Sequence, residues 1–401
     1  MKQSDKIHVL ITTYGYPSGK SKGNPFVEDH AASLARNNAK VVVFLYEFIS
    51  AIGFLKKFFS LKKMVNWKPP SGFKIVTGLY VNLFPGNFFF QKNAILFFIN
   101  IRFRIYVFFN GKPDVIHHHY TINCPPYITA YLAQKYSIPY IITEHSPGIT
   151  NLSGADFKNK LPSFYSFEEV KKFVAGAAFR ISPSKKYADK YGRFFNSDFI
   201  EMPNVIPFQF SGKKLPAFPK STPHFTFLSI GDLSPRKNHL RLIEAFDLKF
   251  KNQPNVFLRI AGDGPLYEKL IETINVLKLG KSIFLLGRIN KEQVLEEIDK
   301  SNVIVVSSND ENLNTSMLEA MFRGNPVVST DCGGHAEVIN DINGLLSEKT
   351  IESLAEKMEQ VKKNYHLYNS SEIIKSVKKY SEEEVMPLYF ELYYSAINAK
   401  N

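Results

Sequence analysis

Short apolar runs alternate with longer mixed stretches along most of the chain. Residues 7–12, 40–46, 140–143, 179–182 and 199–202 form one series, and residues 225–231, 256–261, 283–287, 303–307 and 326–330 a second. Each run is brief, rich in Val, Ile, Leu or Phe, and lacks polar alternation, which is the pattern of a strand buried on both faces. Helical stretches lie between them. Asn24 caps a helix that opens on Pro25, and others are predicted over 123–136, 167–177, 239–250, 291–300, 351–363, 370–379 and 382–400. Pro183 and Ser184 open one more. Strand and helix in turn predict parallel sheets covered by helices, an α/β architecture of two doubly wound halves. The Pro/Lys-rich segment 207–224 separates the series, so the expected domains are 1–206 and 207–381, with a last helix over 382–401. No repeat of 20–50 residues is visible.

The stretch 303–346 concentrates the chemistry. Val303 to Ser307 reads as a strand, a polar loop carries Glu311, and Asn314 or Thr315 caps a short helix that contains Glu319. Gly324 and Pro326 end that helix before the next strand. On one continuous helix the two carboxylates would stand roughly 80° apart. The loop instead places Glu311 in the turn at the carboxyl end of the sheet, where such folds take ligands. The helix start suits a phosphate, and a fixed carboxylate suits a sugar hydroxyl. Two solvated surface carboxylates would satisfy the same spacing.

Arg236 and Lys237 sit in the turn after strand 225–231. Fixed cations there can stabilise a diphosphate leaving group, Arg gripping two oxygens and Lys acting as a point charge. Gly231, and Gly262 with Gly264 in the GDGP turn, allow close backbone approach. Gly15, Gly19 and Gly23 do the same after the first strand, but without G-x-G-x-x-G they do not specify a dinucleotide. In the extended run 113–119, His117 and His119 face one side and His118 the other. With no Cys or spaced carboxylates nearby, no metal site is assigned. Glu144-His145-Ser146 forms the loop after strand 140–143.

The order Glu, seven residues, Glu, then LEAM, GNPVV, CGG and NGLL resembles the nucleotide-sugar site of family-four retaining glycosyltransferases of GT-B fold. Asp114/His117/His119, the Glu144-His145 loop and Pro203-Asn204-Val205-Ile206 are similar to further family segments. The resemblance is specific over 225–346 and weaker before residue 200. It implies two Rossmann-like domains facing a cleft, the last helix packing back on the first domain, and a nucleotide-diphospho-sugar as donor with no other cofactor. Glu319 would hold the ribose, Glu311 and His145 the sugar, and Arg236 and Lys237 the diphosphate. Thr315, Gly23 and Gly262 would line the donor site, with Arg288 near the base. One departure stands out: Asn312, Leu313 and Asn314 replace the Gly-Phe-Gly that often follows the first Glu, so backbone contacts to the sugar differ.

Charge adds a second theme. The net charge of +13 falls in the first half, where residues 1–200 hold 26 Lys/Arg against 11 Asp/Glu. Residues 51–112 carry ten Lys/Arg and thirteen Phe with no acid. Asn100, Arg102 and Arg104 interrupt the apolar runs, so an interfacial amphipathic element on an anionic membrane is expected rather than a spanning helix or a nucleic-acid surface; a core helix with basic solvent-facing positions would satisfy the same pattern. The acceptor implied is a glycan or lipid-linked glycan of the cell envelope. Two cysteines and a first apolar run too short for a signal peptide predict a cytoplasmic protein at the inner membrane face. Competing readings are another GT-B activity, such as a sugar-nucleotide epimerase, and a non-catalytic basic nucleic-acid-binding protein.

Overall fold

The computed structural model describes residues 6–13, 25–50, 65–67, 73–82, 88–121, 124–151, 166–211 and 224–400. The glycines at 15, 19 and 23, the cap Asn24, and Lys56, Lys57, Lys62 and Lys63 lie outside them. The chain divides into two compact units, residues 1–205 with 385–401, and residues 206–384.

Unit 1 holds an eight-stranded sheet. Its strands are β1 (His8–Thr13), β2 (Lys40–Ser50), β3 (Val65–Trp67), β4 (Lys74–Asn82), β5 (Val115–His119), β6 (Tyr140–Thr143), β7 (Phe179–Ser182) and β8 (Ile200–Glu201), in the order β3-β4-β2-β1-β5-β6-β7-β8. Every pairing is parallel except β3 with β4. Sequence patterning missed β3 and β4, because VNW and KIVTGLYVN are short or interrupted by glycine. One face packs on helix Pro25–Arg36 and on Val385, Met386, Tyr389 and Tyr393 of the closing helix Glu382–Asn398. The other packs on helices Phe88–Asn110 and Pro126–Lys135. The 23-residue helix Phe88–Asn110 carries large apolar side chains on its outer as well as its inner face, which blurs the 3.6-residue period in the sequence.

Unit 2 holds β9 (Phe225–Ile230), β10 (Val256–Ala261), β11 (Ile283–Gly287), β12 (Val303–Val306), β13 (Val327–Thr330) and β14 (Gly344–Ser347), all parallel, in the order β11-β10-β9-β12-β13-β14. Helices His239–Phe250, Tyr267–Val276 and Ile351–Lys363 cover one face. Lys291–Lys300, Thr315–Phe322 and Ser370–Val377 cover the other. The chain winds from β9 out to β11, then returns to β12 on the other side of β9. The order therefore reverses between β9 and β12, and the loops leaving those two strands diverge there, which opens a ligand crevice in such sheets. The two sheets, parallel but for β3, with helices on both faces are the α/β class expected from the sequence.

Candidate active site

The turn after β9 and the turn after β12 meet at this reversal. Gly231 and Arg236–Lys237 follow β9, and Glu311 follows β12. Glu311 is buried, at 6% exposure. Arg236 Nη1 lies 2.8 Å from its Oε2, and Lys237 Nζ lies 2.5 Å from its Oε1. Ser308 Oγ donates to Oε1 at 3.0 Å. Burial alone would push this carboxyl up; the Lys237 and Arg236 charges outweigh it and hold the carboxyl at about 2. On Arg236, burial acts downward, but Glu311 and Asp232 raise the guanidinium pKa overall. Glu311 therefore stays ionised across the physiological range, one negative side chain set between two basic ones, Arg236 and Lys237.

Backbone bonds lock the two turns together. Asn309 N donates to Arg236 O (2.8 Å), Ser307 Oγ to Lys237 O (2.9 Å) and Arg236 Nη1 to Asp310 O (3.2 Å). Arg241 reaches across from the first turn of its helix to Ser307 O (3.0 Å) and Asn309 Oδ1 (2.7 Å). Glycines let the loops approach. A Cβ on Gly262 would overlap the Gly231 carbonyl, and one on Gly333, at φ +56°, would overlap that of Glu311. The CGG turn after β13 thus backs the Glu311 turn directly. Ser307, Asn309 and Arg241 carried no sequence signal, since they act through partners that only folding brings near.

Helix Thr315–Phe322 begins just beyond. Asn314, not Thr315, is its cap, accepting from Met317 N at 3.0 Å. Thr315 is the first helical residue, and Glu319 is half-buried in the helix body. Arg288 is exposed in the turn after β11. Gly231, Gly262, Arg288 and Glu311 follow β9, β10, β11 and β12 in turn, with Arg236 and Lys237 later in the β9 loop. Because these strands are parallel, all six lie at the carboxyl edge of one sheet.

His145 belongs to unit 1, in the loop after β6. His119 Nδ1 and His145 Nε2 are 2.9 Å apart, with the two rings stacked. Its Nδ1 has no hydrogen-bond partner among the described residues. Burial lowers its pKa to about 3, so the ring is neutral at physiological pH. Glu144, which sequence reasoning passed over, ties the loops after β5 and β6 together. Its carboxylate accepts from Thr121 N (2.8 Å) and Ser146 N (2.7 Å).

The histidines of β5 divide as the strand period requires. His118 meets Thr12 and Thr129 on one face. His117 and His119 stack on the other, beside His30. Ring nitrogens of His30, His117 and His119 lie within 4.8 Å of one another, close enough to hold a metal ion. Yet both His117 nitrogens are engaged, Nδ1 with Tyr393 OH (2.6 Å) and Nε2 with Thr143 Oγ1 (2.7 Å). Two stacked rings also aim their in-plane lone pairs side by side rather than at one point.

Residues 213–380 match the family described as glycosyl transferases group 1. An uncharacterised glycosyltransferase of Methanocaldococcus jannaschii is 39% identical over 108 residues, which cover 27% of this chain and 26% of that protein. A second from the same organism is 30% identical over 240 residues, 59% of this chain and 61% of its own length. The chain thus spans about a quarter and about three-fifths of these two relatives. Among solved structures, a sucrose-phosphate synthase from Thermosynechococcus elongatus superposes with a TM-score of 0.75 at 17% identity, covering 98% of this chain and all of that one. HepE of Anabaena, in complex with UDP, superposes with a TM-score of 0.70 at 15% identity, covering 98% and 100%. Residues 213–380 thus match the glycosyl transferases group 1 family, and the fold is GT-B.

Proposed function

We propose that this protein is a retaining glycosyltransferase that moves a hexosyl group from a nucleotide-diphospho-sugar to a glycan or lipid-linked glycan acceptor, in the making of a cell-envelope polysaccharide. The observation that carries this reading is the buried Glu311 carboxylate held between Arg236 and Lys237 at the reversal of the unit 2 sheet. Breaking a glycosyl–phosphate bond leaves negative charge on the diphosphate. Two fixed cations in a half-buried turn stabilise that charge without reorganising, the condition under which electrostatic catalysis is strongest. In this reading they also replace a divalent metal.

Glu311 holds the cations in place before the donor arrives and accepts from a hydroxyl of the sugar when it is bound. Glu319 accepts from the ribose, and Thr315 at the helix start faces the phosphates. Gly231 and Gly262 let backbone N–H groups reach the ligand, and Arg288 flanks the base. In unit 1, neutral His145, whose Nδ1 has no hydrogen-bond partner among the described residues, is the residue able to bond a sugar hydroxyl. The complex of HepE with UDP supports a nucleoside diphosphate in this fold and makes UDP the first base to try, with GDP second. We place the enzyme in the cytoplasm, against the inner face of the membrane.

The test is donor turnover. The full chain, given UDP- or GDP-hexoses, should release nucleoside diphosphate in the presence of EDTA, and Arg236→Ala or Lys237→Ala should slow release by about 10²-fold. No release from any nucleotide-sugar, or an absolute need for added metal, would overturn the assignment. A product differing only at one sugar carbon would establish an epimerase instead.

A further inference from the structure

We propose that the outer face of helix Phe88–Asn110 docks the protein on an anionic lipid bilayer. The proposal rests on the reading of a membrane-presented acceptor, and it names the surface that would meet the membrane. The inner face of this helix is well accounted for: Ile95, Ile99, Phe103 and Tyr106 are buried against the unit 1 sheet. The outer face is just as apolar and is bare. Phe97 is 60% exposed, Ile101 40%, Ile105 49%, Phe108 82% and Phe109 75%. At 100° per residue these five side chains fall within an arc of about 120°. They expose on the order of 500 Å² of apolar surface, in the upper range of the largest patch on a soluble monomer. A helix apolar all round is normally covered on both faces.

Charge decides what covers this one. Arg104 lies on the same face and is exposed, as are Lys112 just past the helix and Lys135 at the end of the neighbouring helix Pro126–Lys135. Arg104 and Lys135 both lie near Tyr136, and Lys112 near Lys400, so the cations at this end of the helix gather in two close groups. Neither helix contains an acidic residue. Asp114, the next acid along the chain, receives the His8 backbone N–H at 2.7 Å. A second copy of this chain would set this cationic rim against itself, whereas anionic headgroups complement it while the Phe and Ile side chains enter the acyl boundary. No helix among the described residues is long and apolar enough to cross a membrane, so the contact is one of surface docking.

The experiment sediments the full chain with vesicles of phosphatidylcholine alone and of equal parts phosphatidylcholine and phosphatidylglycerol. Wild type should partition at least tenfold more strongly onto the anionic vesicles and be released by salt. Phe97→Ser/Phe108→Ser/Phe109→Ser and, separately, Arg104→Glu/Lys112→Glu should each lose at least tenfold in partitioning. Nucleotide-sugar hydrolysis in free solution should be unchanged in both, so failure of docking and failure of the catalytic reading are told apart. A Phe108→Trp variant gives a second readout that needs no loss of function. Its emission, after subtraction of the wild-type signal from Trp67, should shift to the blue and be quenched by brominated lipid only with anionic vesicles. Undiminished partitioning of both multiple variants would overturn the proposal. So would no binding by wild type, an unshifted emission from the Phe108→Trp variant, or a concentration-dependent dimer of wild type that the triple variant abolishes.

Discussion

At the scale of single residues, the account turns on the ion cluster of unit 2. Glu311 sits between two cations and Glu319 in the helix body, so their removal should read differently. Glu311→Ala should lower turnover far more than nucleotide affinity, because it frees Arg236 and Lys237 from their fixed positions. Glu319→Ala should raise the nucleotide dissociation constant while leaving the ion cluster intact. Calorimetric binding of UDP or GDP, set beside initial rates of donor hydrolysis, separates the two. Equal effects of both variants on both quantities would contradict the division of roles. Placing Glu311 in a turn and Glu319 in a helix was legible in the sequence, because a strand, a polar gap and an Asn cap are local signals. The neighbours that fix Glu311 were not. Ser307, Asn309 and Arg241 act through partners up to about seventy residues away in sequence, which no local pattern encodes.

At the scale of elements, the closing helix is tied into the unit 1 core by Tyr393. Its hydroxyl meets His117 Nδ1 at 2.6 Å and His30 Nε2 at 3.2 Å, all three groups buried. Tyr393→Phe keeps the ring and leaves those nitrogens without that partner. It should destabilise the protein by about 1–3 kcal/mol in chemical denaturation, the penalty for an unsatisfied buried polar group. A change within about 0.5 kcal/mol would mean that the histidines find other partners. The sequence foretold the sides of β5 on which His117, His118 and His119 fall, because a strand alternates by two. It did not foretell His30, which reaches the cluster from helix Pro25–Arg36, nor the bounds of the helix Phe88–Asn110, which it anticipated only as an interfacial element or a core helix.

At the scale of the whole molecule, five of the buried histidines of unit 1 are held neutral. Burial holds His30, His118 and His145 at about 3 and drives His117 and His119 well below their ordinary value. A folded-state pKa below the unfolded 6.5 means the unfolded chain binds more protons as pH falls. The stability these groups allow is therefore intact above about pH 6.5 and is lost progressively toward pH 3. Each contributes a slope of up to about 1.4 kcal/mol per pH unit, so five together reach roughly 7. Against a typical total of about 5–15 kcal/mol, acid unfolding should fall between about pH 4 and 6. Circular dichroism against pH checks this; a fold intact at pH 3.5 would contradict the buried neutral cluster. The two-sheet α/β plan was readable from strand and helix alternation alone, but the position of the sheet reversal, which brings Arg236 and Lys237 to Glu311, emerges only from strand order. That reversal underlies the central claim, and calorimetric titration of a nucleoside diphosphate into the full chain in EDTA tests it most directly. The account predicts that UDP or GDP binds without metal and that Arg236→Ala and Lys237→Ala each weaken it at least tenfold. Binding that requires a divalent ion, or that both variants leave unchanged, would contradict it.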